Sequence, residues 1–155
     1  MDTAILFLIS GAFSAGFAVI TELVLLPGKD ALSVPGEGSV LPFALIFGLF
    51  MIAVIEESIK LLVLERQSRN RPDGPIRSTA LPFGLGFAAA ESALAAFSAQ
   101  GSDITASAVA GLFLLHTGTS LLYGTSIRRG RNTLITVLLI GVALHFVYDI
   151  LLALA

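Results

Sequence analysis

The chain has 155 residues, of which 55% are hydrophobic and only 13% are charged. This balance lies far outside the range of water-soluble globular domains and indicates an integral membrane protein. The formal net charge of −2 argues against a nucleic-acid partner. Cysteine is absent, which excludes a disulfide framework, a thiolate nucleophile and a Cys-ligated metal.

Five apolar stretches follow one another along the chain, and each has the roughly 20 residues that a helix needs to cross the hydrocarbon core of a bilayer. They cover residues 3–26, 41–64, 80–99, 105–127 and 133–155. The sequence therefore predicts an all-α integral membrane protein, a five-transmembrane-helix bundle that forms a single transmembrane domain over residues 1–155. The first stretch lacks a basic start and a clear A-x-A cleavage site, so we expect a retained helix rather than a signal peptide.

The basic residues are concentrated in two of the four connections between these stretches. The arginines of the second and fourth connections are Arg66, Arg69, Arg71, Arg77, Arg128, Arg129 and Arg131. A chain with five spans puts both connections on the same side, and the positive-inside rule places that side in the cytoplasm. We therefore expect a multi-pass cell-membrane protein with a cytoplasmic N-terminus and an external C-terminus.

The second stretch contains the segment AVIEESIKLL, which places three ionisable side chains inside an apolar helix. Glu56 and Lys60 are four residues apart, and Glu57 and Lys60 are three apart. Residues at these spacings are neighbours on a helix surface, so all three side chains can share one broad face.

The third stretch carries Glu91 beside pairs of small residues. Gly86 with Ala90, and Ala89 with Ala93, are each four residues apart. Small residues at this spacing allow the backbone of a neighbouring helix to approach closely. We therefore expect a tight helix contact next to Glu91.

The last two stretches complete the set of intramembrane polar residues. A polar stripe at helical spacing in the fourth stretch consists of His116, Thr119, Ser120 and Tyr123. In the fifth stretch, His145 and Asp149 are four residues apart and stack on one face. When depth in the membrane is counted at about 1.5 Å per residue from the cytoplasmic end of each stretch, the ionisable groups of four stretches lie at overlapping depths.

Seven ionisable side chains at one depth indicate a functional site, because each costs on the order of 2.5 to 3.5 kcal/mol in a membrane helix and packing does not require them. With all carboxyls ionised and the histidines neutral, four negative charges stand against one positive charge. Some carboxyls must then stay protonated, or the histidines are cationic, or a divalent metal is bound. Each of these states suits hydrolysis, which needs a base for water and a group that stabilises an oxyanion.

The ordered set of motifs resembles the PrsW family of intramembrane proteases, which is related to the CAAX prenyl endopeptidase and bacterial abortive-infection (CPBP) group. The matching motifs lie on successive helices over residues 41–152: Glu56-Glu57-x-x-Lys60, Phe87-x-x-x-Glu91, His116 and His145-x-x-x-Asp149. The resemblance implies a helical membrane fold with a catalytic chamber open to the cytoplasmic side. It also implies cleavage of a membrane-anchored protein, since the member that gives the family its name cleaves an anti-sigma factor.

The resemblance also implies a role for each residue. Glu56 and Glu57 would supply the catalytic base, and Lys60 would tune or orient it. Glu91 would occupy the position of the second motif. The site would be completed by His116, His145 and Asp149.

Two states of the site remain open from the residues alone. His116 and His145 could ligate zinc, with Glu91 or Asp149 as a third ligand and an open position for water. Alternatively no cofactor is used, the histidines stabilise the oxyanion, and Glu57 activates an unligated water. The nearby cation of Lys60 favours this second state, because it would repel a metal dication.

Two other classes of function share some of these features. A cation or proton transporter also buries acidic and basic residues, but no inverted repeat or pair of broken helices is evident. A non-catalytic membrane scaffold of the same fold would be favoured by the loss of a motif residue, and none is lost. The expected partners are therefore the lipid bilayer and a membrane-anchored protein substrate, and the sequence is compatible with an oligomer.

Overall fold

The computed structural model of the chain describes residues 3–25, 43–70, 77–98 and 105–154. These residues form five α-helices and one short 3₁₀ turn at Ile127–Arg129. The helices are α1 (Thr3–Leu25), α2 (Phe43–Arg69), α3 (Arg77–Ser98), α4 (Ala106–Ser126) and α5 (Arg131–Leu154). The all-helical fold that the sequence predicts is confirmed.

Four of the helices in the described part of the chain are long and apolar enough to cross a membrane. The qualifying segments are Thr3–Thr21, Thr79–Phe97, Ala106–Arg129 and Arg131–Leu154. Helix α2 is long enough at 27 residues, but Glu56, Glu57 and Lys60 interrupt its apolar sequence and it does not qualify. The chain is thus a membrane protein with four helices that could span a bilayer, where the sequence analysis expects five.

The helix boundaries differ from the predicted stretches at the arginine-rich connections. Helix α2 continues past residue 64 to Arg69, where an exposed ion pair between Glu65 and Arg69 links one turn to the next. Between α4 and α5 the chain reverses within the 3₁₀ turn and at Gly130, whose φ of 103° favours glycine. Some of the predicted boundaries lie outside the described residues. These are residues 26, 41, 42, 99 and 155 of the predicted stretches, the first and third connections, and residues 71–76.

Helices α1 and α3 approach each other through glycines. A Cβ atom at Gly11 would collide with the backbone oxygen of Phe83, and one at Gly86 with the backbone oxygen of Leu8. The two backbones are therefore nearly in contact, which is the close approach expected at Gly86. The second predicted pair, Ala89 and Ala93, is exposed.

The remaining contacts arrange the other helices around a polar centre. Helix α3 also packs against α4, while α2 contacts α1, α4 and α5, and α4 contacts α5. The apolar core on the α3 side includes the fully buried Phe83 and Phe87. As a result, helices α2, α3, α4 and α5 can each supply side chains to one common site.

Candidate active site

The structure brings all seven ionisable residues of the predicted site together. Five of them are at most 4% exposed, namely Glu56, Glu57, Lys60, His116 and His145. The side chains of Glu91 and Asp149 are 22% and 14% exposed, so they form the accessible edge of the cluster. The convergence that the depth count predicts is therefore present in the folded chain.

Glu57 lies at the centre of the cluster and accepts hydrogen bonds from three helices. Its Oε1 is 2.5 Å from the Nζ of Lys60 and 2.9 Å from the Nδ1 of His145. Its Oε2 accepts a hydrogen bond of 2.7 Å from the hydroxyl of Tyr123. Because the side chain is fully buried and both oxygens are occupied, Glu57 is held as a fixed acceptor.

Lys60 joins this carboxylate to the fourth helix. Its Nζ is 2.6 Å from the Nδ1 of His116 and 3.4 Å from the Oγ1 of Thr119, and it lies 4.8 Å from the centre of the Phe87 ring. A cationic ammonium group can only donate hydrogen bonds, so the Nδ1 of His116 must accept one from Lys60. The proton of a neutral His116 then lies on Nε2.

His145 takes the opposite tautomer. Its Nδ1 faces the carboxylate of Glu57, so Nδ1 carries the proton and donates it, which leaves the lone pair on Nε2. The two imidazoles stand edge to face with their centres 5.3 Å apart. Together they offer one Nε2 donor, on His116, and one Nε2 acceptor, on His145.

Three carboxylates lie opposite the two Nε2 atoms. The Nε2 of His116 contacts the Oε2 of Glu91, although neither atom makes a hydrogen bond within the described residues. The Nε2 of His145 lies 3.7 Å from the Oε2 of Glu56 and 3.6 Å from the Oδ1 of Asp149. We call these five residues the Nε2 face of the site.

Part of the Nε2 face could hold a metal ion. Glu56, Glu91, His116 and His145 each offer one ligand atom, and these four atoms lie within 4.8 Å of one another. This set contains the predicted ligands His116, His145 and Glu91, and it adds Glu56. Histidine and carboxylate ligands suit zinc, and Glu57 orients His145 as carboxylates orient metal-bound histidines. Ligation by the Nε2 of His116, however, requires the proton on Nδ1, and therefore a neutral Lys60.

The two partly exposed carboxylates lie far along their helices from the arginines. Asp149 lies one turn beyond His145, and Glu91 lies 14 residues beyond Arg77, so both are far from the arginine-bearing ends of their helices. Tyr123 and Lys60, which lie nearer the arginine-bearing ends of α4 and α2, are fully buried.

Two residues of the site's surroundings were not among the predicted site residues. Tyr123 belongs to the predicted polar stripe, and its spacing of seven from His116 puts both on one face of α4. Gly141, four residues before His145, lies where a Cβ atom would collide with the Tyr123 hydroxyl and stand 3.2 Å from the Oε2 of Glu57. Spacing relative to the histidines is the signal that could have indicated both.

The fold and the site together define a class: an all-helical membrane protein with a buried cluster of carboxylates, histidines and one lysine at its centre. No family model, no curated protein and no solved structure matches this chain. Function must therefore be argued from the geometry of the cluster.

Proposed function

We propose that this protein is an intramembrane endopeptidase of the PrsW type, which hydrolyses a peptide bond of a membrane-anchored protein. The observation that carries the proposal is the Nε2 face, where a hydrogen-bond donor, an acceptor and three carboxylates from four helices surround one point. Hydrolysis of an amide needs these groups together, because water must lose a proton while the carbonyl oxygen gains negative charge.

The proposed reaction divides the site into reacting and positioning residues. The carboxylate of Glu56 or Glu91 takes a proton from water as the water oxygen attacks the carbonyl carbon. The Nε2–H of His116 donates to the oxygen that becomes negative, and His145 and Asp149 orient the water. As the C–N bond breaks, the proton passes to the nitrogen of the leaving amine.

Glu57 and Lys60 act as positioning residues in this scheme. Glu57 is fully buried and both of its oxygens already accept hydrogen bonds. The base is therefore a carboxylate of the Nε2 face, either Glu91 at the accessible edge or the more buried Glu56. Glu57 fixes the tautomer of His145, and Lys60 fixes that of His116. A zinc ion, when bound, would be held by Glu56, Glu91, His116 and His145 and would activate water as a Lewis acid.

The proposal includes a membrane arrangement with α2 as a fifth span. The charges that keep α2 from qualifying on composition are buried and paired inside the bundle, so they need not face lipid. With α2 included, the positive-inside rule puts the N-terminus in the cytoplasm and the C-terminus outside.

The activity can be tested with the full chain in liposomes that also contain a set of single-span membrane proteins. New peptide termini, identified by mass spectrometry, should appear with the wild-type protein and not with Glu56→Gln or Glu91→Gln. Arg129→Gln, an exposed change far from the site, is the matched control and should retain cleavage. Equal termini in all samples, or none with the wild type across the whole set, would contradict the proposal.

A further inference from the structure

A groove between α2 and α5 lies at the arginine-bearing end of the bundle, away from the candidate active site. Its volume is about 460 Å³, which is within the usual range for small-molecule sites. The floor is apolar and includes Leu61 from α2 and Leu134, Ile135 and Leu138 from α5. The residues of the α5 segment lie within the first two turns of a helix that could span a membrane.

The rim of the groove is charged and carries a net positive charge. Arg69, Arg131 and Glu65 lie there, so two guanidinium groups face one carboxylate. The Nη2 of Arg69 donates to Glu65 at 2.6 Å, which fixes this guanidinium while leaving other N–H donors available. Arg131 is exposed and has no ion-pair partner among residues 3–25, 43–70, 77–98 and 105–154. The rim therefore offers donors to one further anionic group.

We propose that this groove binds an anionic phospholipid. The headgroup phosphate would accept hydrogen bonds from Arg69 and Arg131, and an acyl chain would lie along the floor between Leu61 and Leu138. A lipid is the occupant that matches both parts, because its anionic end meets the basic rim at the membrane surface and its apolar end meets the floor within the bilayer. Basic pockets between transmembrane helices recognise anionic headgroups through the same combination.

The proposal can be tested by native mass spectrometry of the purified full chain in a non-ionic detergent. Phosphatidylglycerol and phosphatidylcholine with the same acyl chains are added separately. We expect the wild-type chain to retain phosphatidylglycerol at concentrations about tenfold lower than phosphatidylcholine. Both lipids carry the phosphate, but the choline ammonium cancels the net negative charge and is repelled by the two arginines. The double variant Arg69→Gln with Arg131→Gln should lose this preference.

Further variants make the test specific. Arg129→Gln removes one positive charge from the same end of the bundle, and Arg129→Gln combined with Arg66→Gln removes two, as the test variant does. Neither Arg129 nor Arg66 lines the groove, so both control variants should keep the tenfold preference. Leu134→Trp leaves the charges intact and fills the floor, so it should lose retention of phosphatidylglycerol. Equal retention of both lipids by the wild type, an equal loss in Arg129→Gln, or stronger retention of a poly-glutamate peptide than of phosphatidylglycerol would overturn the proposal. The result does not depend on protease activity.

Discussion

Adjacent glutamates occupy very different positions in this protein. Glu57 accepts hydrogen bonds from Lys60, His145 and Tyr123, whereas Glu56 faces the Nε2 atom of His145 at the Nε2 face of the site. Consecutive residues of a helix point in directions about 100° apart, so the side chains of Glu56 and Glu57 meet different neighbours. In the proposed mechanism, Glu57 is therefore a positioning residue, because both of its oxygens are already occupied.

Substitution of the two glutamates should separate stability from chemistry. Glu57→Gln removes the counter-charge of a buried lysine, so we expect a loss of about 3 to 5 kcal/mol in the free energy of unfolding together with the loss of cleavage. Glu56→Gln should abolish cleavage with a much smaller loss of stability. Thermal unfolding in detergent, run beside the cleavage assay, measures both. Equal stability of the two variants would show that Glu57 does not hold the cluster together.

The tautomer of His116 decides the expected metal content. Because a cationic Lys60 donates to Nδ1, the Nε2 of His116 carries a proton and cannot bind a metal. We therefore expect strong chelators to leave cleavage unchanged, and His145→Ala to lower the rate without altering the zinc content measured by elemental analysis. One zinc per chain that is lost with activity in both His116→Ala and His145→Ala would show that Lys60 is neutral and that the metal mechanism operates.

At the scale of the helices, the glycines fall into two groups with opposite expected effects. Gly86→Ala puts a methyl group against the Leu8 backbone of α1, and backbone atoms cannot move aside, so we expect a loss of more than about 1 kcal/mol. Gly118→Ala, on α4, meets no atom within 4 Å. It should be neutral or stabilise the chain by up to about 1 kcal/mol, because alanine favours a helix more than glycine.

The comparison of these two variants has a built-in control, since both replace glycine by alanine inside a helix. Unfolding by denaturant or heat in the same detergent provides the measurement. If both variants change stability in the same direction and by the same amount, the close approach of α1 and α3 does not support the fold.

The all-helical fold and the charged residues that cluster in it can be predicted from the sequence for a physical reason. A charge in an apolar helix is costly, so Glu56, Glu57, Lys60 and their partners stand out without any structure. Tyr123 and Gly141 carry no charge, so only their spacing from His116 and His145 indicates them. The close contact between them depends on the packing of α5 against α4. The division between Glu56 and Glu57 depends on which neighbour each side chain meets, and sequence spacing does not contain that information.

At the scale of the whole molecule, the proposed orientation rests on the arginines near the end of α2 and the start of α5. We expect a reporter fused after Ala155 to be external and one fused at the N-terminus to be cytoplasmic, because five spans put the termini on opposite sides. Reporter pairs that are active on opposite sides of the membrane measure this. If both termini lie on one side, α2 does not cross the membrane. The ionisable residues of α2 would then not share one membrane depth with those of the other helices.

The pairing of α2 with later helices has a consequence for how the protein is made. Lys60 meets a partner 56 residues later in the chain, and Glu57 meets partners 66 and 88 residues later. When α2 leaves the ribosome, His116, Tyr123 and His145 have not yet been synthesised. Glu57 and Lys60 can then pair with each other, but Glu56 lacks His145, and a charge at the centre of a membrane helix costs about 2.5 to 3.5 kcal/mol. If α2 is the fifth span, we therefore expect it to stay beside the insertion machinery until the hairpin of α4 and α5 supplies these partners.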